Sequence, residues 1–164
     1  MKDLSEALKS DIRGSAVIAR LGASIGGYAV CCDNDMSSIN AYAATTEWLA
    51  SRGRGHFFEP PFWPHEDADG LQVSGDMLYT SYEELADKSD GELLYRHIED
   101  SFRVVNEALY DLRMEGFFKA DVVVFCTTND PIGRLLKLEG GSVQRLNGAA
   151  VSERWRCWAA GRPV

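Results

Sequence analysis

Leu4, Ala7, Leu8 and Ile12 recur at helical spacing, with Ser5 and Glu6 suited to a first turn and Gly14 just past the last apolar position. That pattern predicts an amphipathic helix over residues 2 to 13. Ser15 to Gly27 is apolar but broken by Gly22, Gly26 and Gly27, which leaves helix continuation and an extended entry both open. Tyr28 to Cys32 is a short apolar run ending in Asp33-Asn34-Asp35, and from Ser38 to Ala43 polar and apolar residues alternate. Two antiparallel strands joined across an acidic turn are the expectation. Thr45 or Thr46 is placed to cap a helix through Glu47, Trp48, Leu49 and Ala50, stopped by Gly53 and Gly55.

Residues 55 to 78 change character: Pro60, Pro61 and Pro64 exclude a helix interior or central strand around them. The segment reads as a long loop, with the next helix starting near Ser81. After Asp90-Gly91, Leu94, Ile98, Phe102, Val105, Leu109 and Leu112 draw one apolar stripe, which predicts a helix over 92 to 115 ended by Gly116. Asp121 to Thr128 is nearly continuous in β-favouring residues and predicts a strand buried on both faces, central in its sheet. Asn129-Asp130-Pro131 then starts a short helix that Gly140-Gly141 would end, with one more turn over Ser142 to Leu146. The tail, Ser152 to Trp158, fits a last strand or a frayed end. Together these elements predict an α+β fold: a central, mainly antiparallel sheet packed by helices, one of them long and near 92–115.

At 164 residues the chain suits one domain over 1–164, and 45% hydrophobic with 26% charged residues is a globular rather than a disordered balance. No internal repeat or low-complexity linker divides it. No apolar run approaches the roughly 18 residues a bilayer crossing needs, and Met1-Lys2-Asp3-Leu4-Ser5-Glu6 lacks the basic start of a signal peptide. Cytoplasmic location, with reduced thiols at Cys31, Cys32, Cys126 and Cys157, is the expectation. The net charge of −8 disfavours direct nucleic-acid binding, since the only basic clusters are Arg52-Gly53-Arg54 and Arg154-Trp155-Arg156. It favours a basic protein partner.

Candidate chemistry is sparse. There is no Cys-x-x-Cys or His-Glu-x-x-His for zinc, although His65, Glu66, Asp67 and Asp69 would suit a cation if their loop folded back on His56 and Glu59. Asp33-Asn34-Asp35-Met36-Ser37 imitates a calcium loop, but Ser38 and Ala44 stand where glycine and glutamate are required. Gly22-Ala23-Ser24-Ile25-Gly26 has the letters of a nucleophile elbow, yet its strand follows instead of preceding it. No cofactor, metal or catalytic residue is expected from these patterns. The remaining lead is Phe57, Phe58, Phe62 and Trp63 among the prolines, which read either as a lid pinned to the core or as a binding patch with a charged rim.

The order of several segments carries a resemblance. Tyr28-Ala29-Val30, Asn40 to Glu47, Glu115-Gly116-Phe117-Phe118, Val122 to Phe125 and Ser142 to Asn147, over about residues 26 to 147, resemble the bacterial domain of unknown function 4303. The resemblance implies an immunity role: binding a cognate bacterial toxin and blocking it by occlusion. On that reading Asp33, Asp35, Glu59, Glu66, Asp67, Asp69 and Asp76 face a basic toxin surface, with Phe62 and Trp63 as anchors. The alternatives are a small ligand-binding domain or enzyme using a cleft under the 55–78 loop, and a subunit of a homo-oligomer.

Overall fold

A computed structural model describes residues 2–51, 56–86, 91–131 and 133–161. Helix α1 (Lys2–Gly14) buries Leu4, Leu8 and Ile12, a stripe repeating every four residues. The stretch that the pattern left open divides into three. Helix α2 (Ala16–Leu21) is capped by Ser15, whose Oγ accepts from the Ile18 amide at 3.0 Å. A turn of 3-10 helix over 22 to 24 follows, entered by Gly22 at φ +52°, and then strand β1 (Ile25–Cys32).

Strand β1 pairs antiparallel with β2 (Ile39–Thr45), the expected hairpin, with Tyr28 opposite Ala43 and Val30 opposite Ala41. Its other side pairs in parallel with β4 (Val123–Thr128), placing Tyr28 beside Val124. The two-residue β3 (His65–Glu66) adds antiparallel to β2, so the order is β3-β2-β1-β4. Two of the three pairings are antiparallel, and the fold is the expected α+β type. The position of β4 corrects the expectation of a central strand. It is buried on both faces but lies at the end of the order.

What covers that edge is α6 (Gly133–Leu146), together with the residue just beyond it. Asn147 Oδ1 accepts the Val124 amide at 2.9 Å, Asn147 Nδ2 donates to the Val124 carbonyl at 2.6 Å, and Ser142 Oγ accepts the Cys126 amide at 2.9 Å. Side chains thus complete hydrogen bonds that a neighbouring strand would otherwise make.

The two faces of the sheet carry two cores. Tyr28, Val30, Ala41, Ala43, Val124 and Cys126 face one core with α1, α4 (Gln72–Ala86) and α5 (Gly91–Met114). Ala29, Ala44, Val123 and Phe125 face the other with Leu49 of α3 (Thr46–Ser51), Phe57, Phe58, Trp63 and Trp155 of α7 (Ala149–Ala159). Helix α5 matches the predicted span, and Ser101, Val104, Asn106 and Ala108 are buried beyond its expected stripe. The cap of α3 is Thr45, whose Oγ1 accepts the Trp48 amide at 3.2 Å. Its expected stops, Gly53 and Gly55, lie outside the described residues.

Three further expectations change. The 55–78 segment is not one loop: a 3-10 turn spans Pro60–Phe62, β3 follows, and α4 begins at Gln72, well before Ser81. The start of α4 is stabilised from a distance, because Asp11 Oδ2 accepts both the Ser74 amide and the Ser74 hydroxyl at 2.9 Å. A helix cap supplied by another helix leaves no local signal. Second, α6 runs unbroken through Gly140-Gly141. A Cβ on Gly140 would come within 2.5 Å of the Trp155 ring, so this glycine provides close packing, not a stop. Third, the tail is helix α7, with no strand.

Candidate functional site

A groove of about 510 Å³ opens where the β1–β2 turn meets the first turns of α5 and α6. Its wall is apolar: Leu94, Ile98, Leu135 and Leu138. Asp33, Asn34 and Asp35 form its mouth, beside the carboxyl ends of the parallel strands β1 and β4. That is where ligands commonly meet sheets with parallel strands. The exposed Tyr95 ring stands at the rim with the Arg134 guanidinium 5.6 Å from its centroid. Arg134 also lies 3.6 Å from the Glu99 carboxylate.

The mouth is rigidly built. Asp33 accepts from the Ser37 and Ser38 amides at 2.7 and 3.0 Å and from their hydroxyls at 2.6 and 2.8 Å. Burial disfavours charge on Asp33, but these donors outweigh it and hold its carboxyl below the usual carboxylate range. Met36, at φ +59°, closes the turn and is fully buried. Asp35 approaches Tyr82 on α4 and raises its phenol, through its negative charge first and then through burial and a hydrogen bond.

The structure distributes the nine candidate partner residues rather than uniting them. Asp33 and Asp35 line the groove. Asp69 and Asp76 line a neighbouring depression of about 320 Å³ on the far side of the same turn, with Ser37, Ser38 and Tyr79. Glu59 and Phe62 lie at the aromatic segment, where Glu59 Oε2 is 2.7 Å from His56 Nδ1. Glu66 is on β3, where Tyr42 Oη donates to it at 3.5 Å.

Two candidates need correction. Trp63 is only 5% exposed, packed edge-on against Phe125 with its indole N–H donated to the His56 carbonyl, so it anchors the chain to its own core. Asp67 is likewise 5% exposed, with the Ser15 hydroxyl donating to its carboxylate. Neither side chain is presented to a partner. Phe57 and Phe58 are buried too, while Phe62 is 62% exposed. The lid alternative therefore describes most of this segment.

The lid does cover a cleft, of about 160 Å³, lined by Phe58, Glu59, Phe62, Thr127, Thr128, Asn129 and Trp158. Thr127 Oγ1 bonds the buried Glu139, whose other oxygen accepts the Trp155 indole N–H at 2.7 Å. Sequence reading missed both this Glu139 hub and the apolar wall of the large groove. Leu94 and Ile98 had the signal of a core stripe, and nothing local tells which end of a stripe overhangs the sheet.

Among the described residues no group of three or more His, Cys, Asp or Glu side chains is placed to hold a metal ion. Of the residues that would form a cation cluster around His65, Asp67 is bonded by Ser15, Glu66 by Tyr42, and Glu59 lies against His56. Ser24 sits on the 3-10 turn ahead of β1 and donates to the Leu21 carbonyl at 2.6 Å, which is not the geometry of a nucleophile elbow. Among the same residues no helix is long and apolar enough to cross a membrane. Of the basic clusters, Arg52-Gly53-Arg54 lies outside the described residues, and Arg154 stacks over Phe57 at 3.6 Å.

Cys31, Cys32 and Cys126 are buried and Cys157 is exposed. Cys31 donates to Asn129 Oδ1 at 3.2 Å, and its thiol is pushed up to about 12, by burial first and then by Cys32, Glu139 and Asp33. It is not a thiolate at neutral pH. Because the folded value lies above the roughly 8.5 of an unfolded thiol, the associated stability is complete below that unfolded value. It is lost as pH rises toward the folded one, at up to about 1.4 kcal/mol per pH unit. Urea midpoints should therefore fall in the alkaline range, and less steeply in Cys31→Ser. An identical slope in the variant would assign the loss to other groups.

Comparison with known proteins supplies no relative: no family model matches the chain, and no significant match was found among curated proteins or solved structures.

Proposed function

We propose that this chain is an immunity-type protein, acting in the bacterial cytoplasm, that binds and neutralises a cognate toxin domain by occlusion. The observation that carries the reading is the acid-mouthed apolar groove of about 510 Å³ on a protein of net charge −8. An apolar wall supplies binding free energy, and the carboxylates at its mouth select a basic partner and steer its approach. The immunity role is what the sequence resemblance to the domain of unknown function 4303 implies, and it rests on that resemblance alone.

Co-expression with the product of the adjacent gene tests it. Wild-type protein should relieve that product's toxicity, and Asp35→Lys combined with Tyr95→Ala should not, while keeping the wild-type circular dichroism spectrum. Both changes lie at the groove, and removing an interface aromatic commonly costs about 2 kcal/mol or more. A harmless neighbour, or one still toxic beside the wild-type protein, ends the proposal.

The cleft under the aromatic segment favours a second reading, a small-ligand site bounded by Thr127, Thr128 and Asn129. A ligand present at 100 times its dissociation constant would add about 2.7 kcal/mol of stability. A thermal-shift screen across metals, nucleotides and sugars resolves an effect of that size.

A further inference from the structure

The groove does not end at Glu99. A second depression, of about 450 Å³, continues it along the seam between α5 and α6, and the two share Glu99 and Leu138 as lining residues. Leu94 and Leu135 lie at one end, and Asn106 and Arg145 at the other, so the two helices run side by side in the same direction. Twelve residues of α5 separate Leu94 from Asn106, which at about 1.5 Å per residue makes a trough of roughly 18 Å. Ile98, Phe102 and Leu138 form its floor.

Charge is ordered along that trough. Between Asp35 and Arg145 the charges cancel in pairs: Arg134, beside Leu135 at the first end, reaches along the trough to lie 3.6 Å from Glu99, and in the middle Arg103 is 2.8 Å from Asp100. At the first end are Asp33 and Asp35, and Glu92 in the first turn of α5 and Asp130 just ahead of α6 offset the partial positive charge of the two helix N-termini there. At the far end is Arg145, its guanidinium 4.5 Å from the Tyr110 ring centroid. A trough of roughly 18 Å is about two screening lengths at physiological salt, so each end acts on the portion of partner nearest it.

We infer that the α5–α6 trough accepts one amphipathic helix of a partner protein, about three turns long, with cations toward Asp33 and Asp35 and carboxylates toward Arg145. This rests on the groove being the docking face, and it replaces a uniformly basic partner surface with a segment of divided charge. A uniformly basic helix would set a cation against Arg145, and a uniformly acidic one would set carboxylates against Asp33 and Asp35.

Three labelled helical peptides of about 12 to 14 residues, sharing one leucine stripe, test the inference by fluorescence anisotropy. The first carries lysines in one half and glutamates in the other, the second lysines throughout and the third glutamates throughout. The divided peptide should bind wild-type protein at least about fivefold more tightly than the all-lysine peptide, with the all-glutamate peptide weakest. Arg145→Glu should reverse the order of the first two, and Arg145→Gln should bring them close together. Arg145 is exposed, and unchanged circular dichroism confirms that the variants fold. An all-lysine peptide that ties or wins on the wild-type protein overturns the divided-charge inference and leaves the docking face standing. An order that survives Arg145→Glu does the same. If no peptide binds, the docking face itself is lost and the inference with it.

Discussion

Glu139→Ala is expected to cost about 3 to 5 kcal/mol of folding free energy. Glu139 is fully buried, with Oε1 accepting the Trp155 indole N–H at 2.7 Å and Oε2 bonded to the Thr127 hydroxyl. Truncation strands the buried indole donor, which costs about 1 to 3 kcal/mol. It also leaves a cavity between α6 and α7, with a further penalty of similar size. Thr127 suffers less, because its hydroxyl also lies 3.1 Å from the Thr128 carbonyl. Trp155 cannot move in to compensate, since its ring already rests against Gly140 at the limit of approach. Glu139→Gln keeps the shape and an acceptor for the indole, and should cost under about 1.5 kcal/mol. Urea unfolding followed by tryptophan fluorescence reads both variants. A midpoint for Glu139→Ala close to that of Glu139→Gln would show that the hydrogen bonds are not what stabilises this corner.

That corner also shows where sequence reading reaches its limit. The α5 stripe and the β1–β2 hairpin were legible because each element's own period announces its buried face. Helix α6 was not, because Gly140-Gly141 has the same local signature whether it ends a helix or admits a ring from a later one. Deciding between them requires knowing that Trp155 arrives there, a contact across the fold. The start of α4 failed for the same reason, its cap being Asp11.

The candidate site divides along similar lines. Asp33 and Asp35 fall between an apolar run and an alternating one, which reads as a turn, and turns reach the surface, so they do line the groove. Aromatics among prolines look alike whether they pin a lid or project from it, so the pattern alone offers Trp63 to a partner. Phe125 beneath it settles which applies. Phe62, one residue earlier, does project.

The apparent contradiction of β4, continuously apolar yet at the end of the sheet, leads to the second large effect. An edge strand buried on both faces still has outward-pointing amides and carbonyls, and water cannot reach them beneath α6. Asn147 is suited to the task because one carboxamide both accepts and donates, as a peptide group does, and it meets the Val124 amide and carbonyl together while its Nδ2 also reaches the Val143 carbonyl at 3.0 Å. Asn147→Ala should therefore cost about 2 to 4 kcal/mol, since two buried backbone groups lose their partner at once. Asn147→Asp should recover little, because a carboxylate still accepts the amide but opposes two carbonyl oxygens. Ser142→Ala, which frees only the Cys126 amide, should cost about 1 to 2 kcal/mol. Native-state hydrogen exchange distinguishes this account from a general loosening, because the Val124 amide should lose protection in Asn147→Ala while Val30 on β1 follows only the global change. Equal loss at both positions, or a stability change under about 0.5 kcal/mol, would mean that the edge of β4 is covered by packing alone.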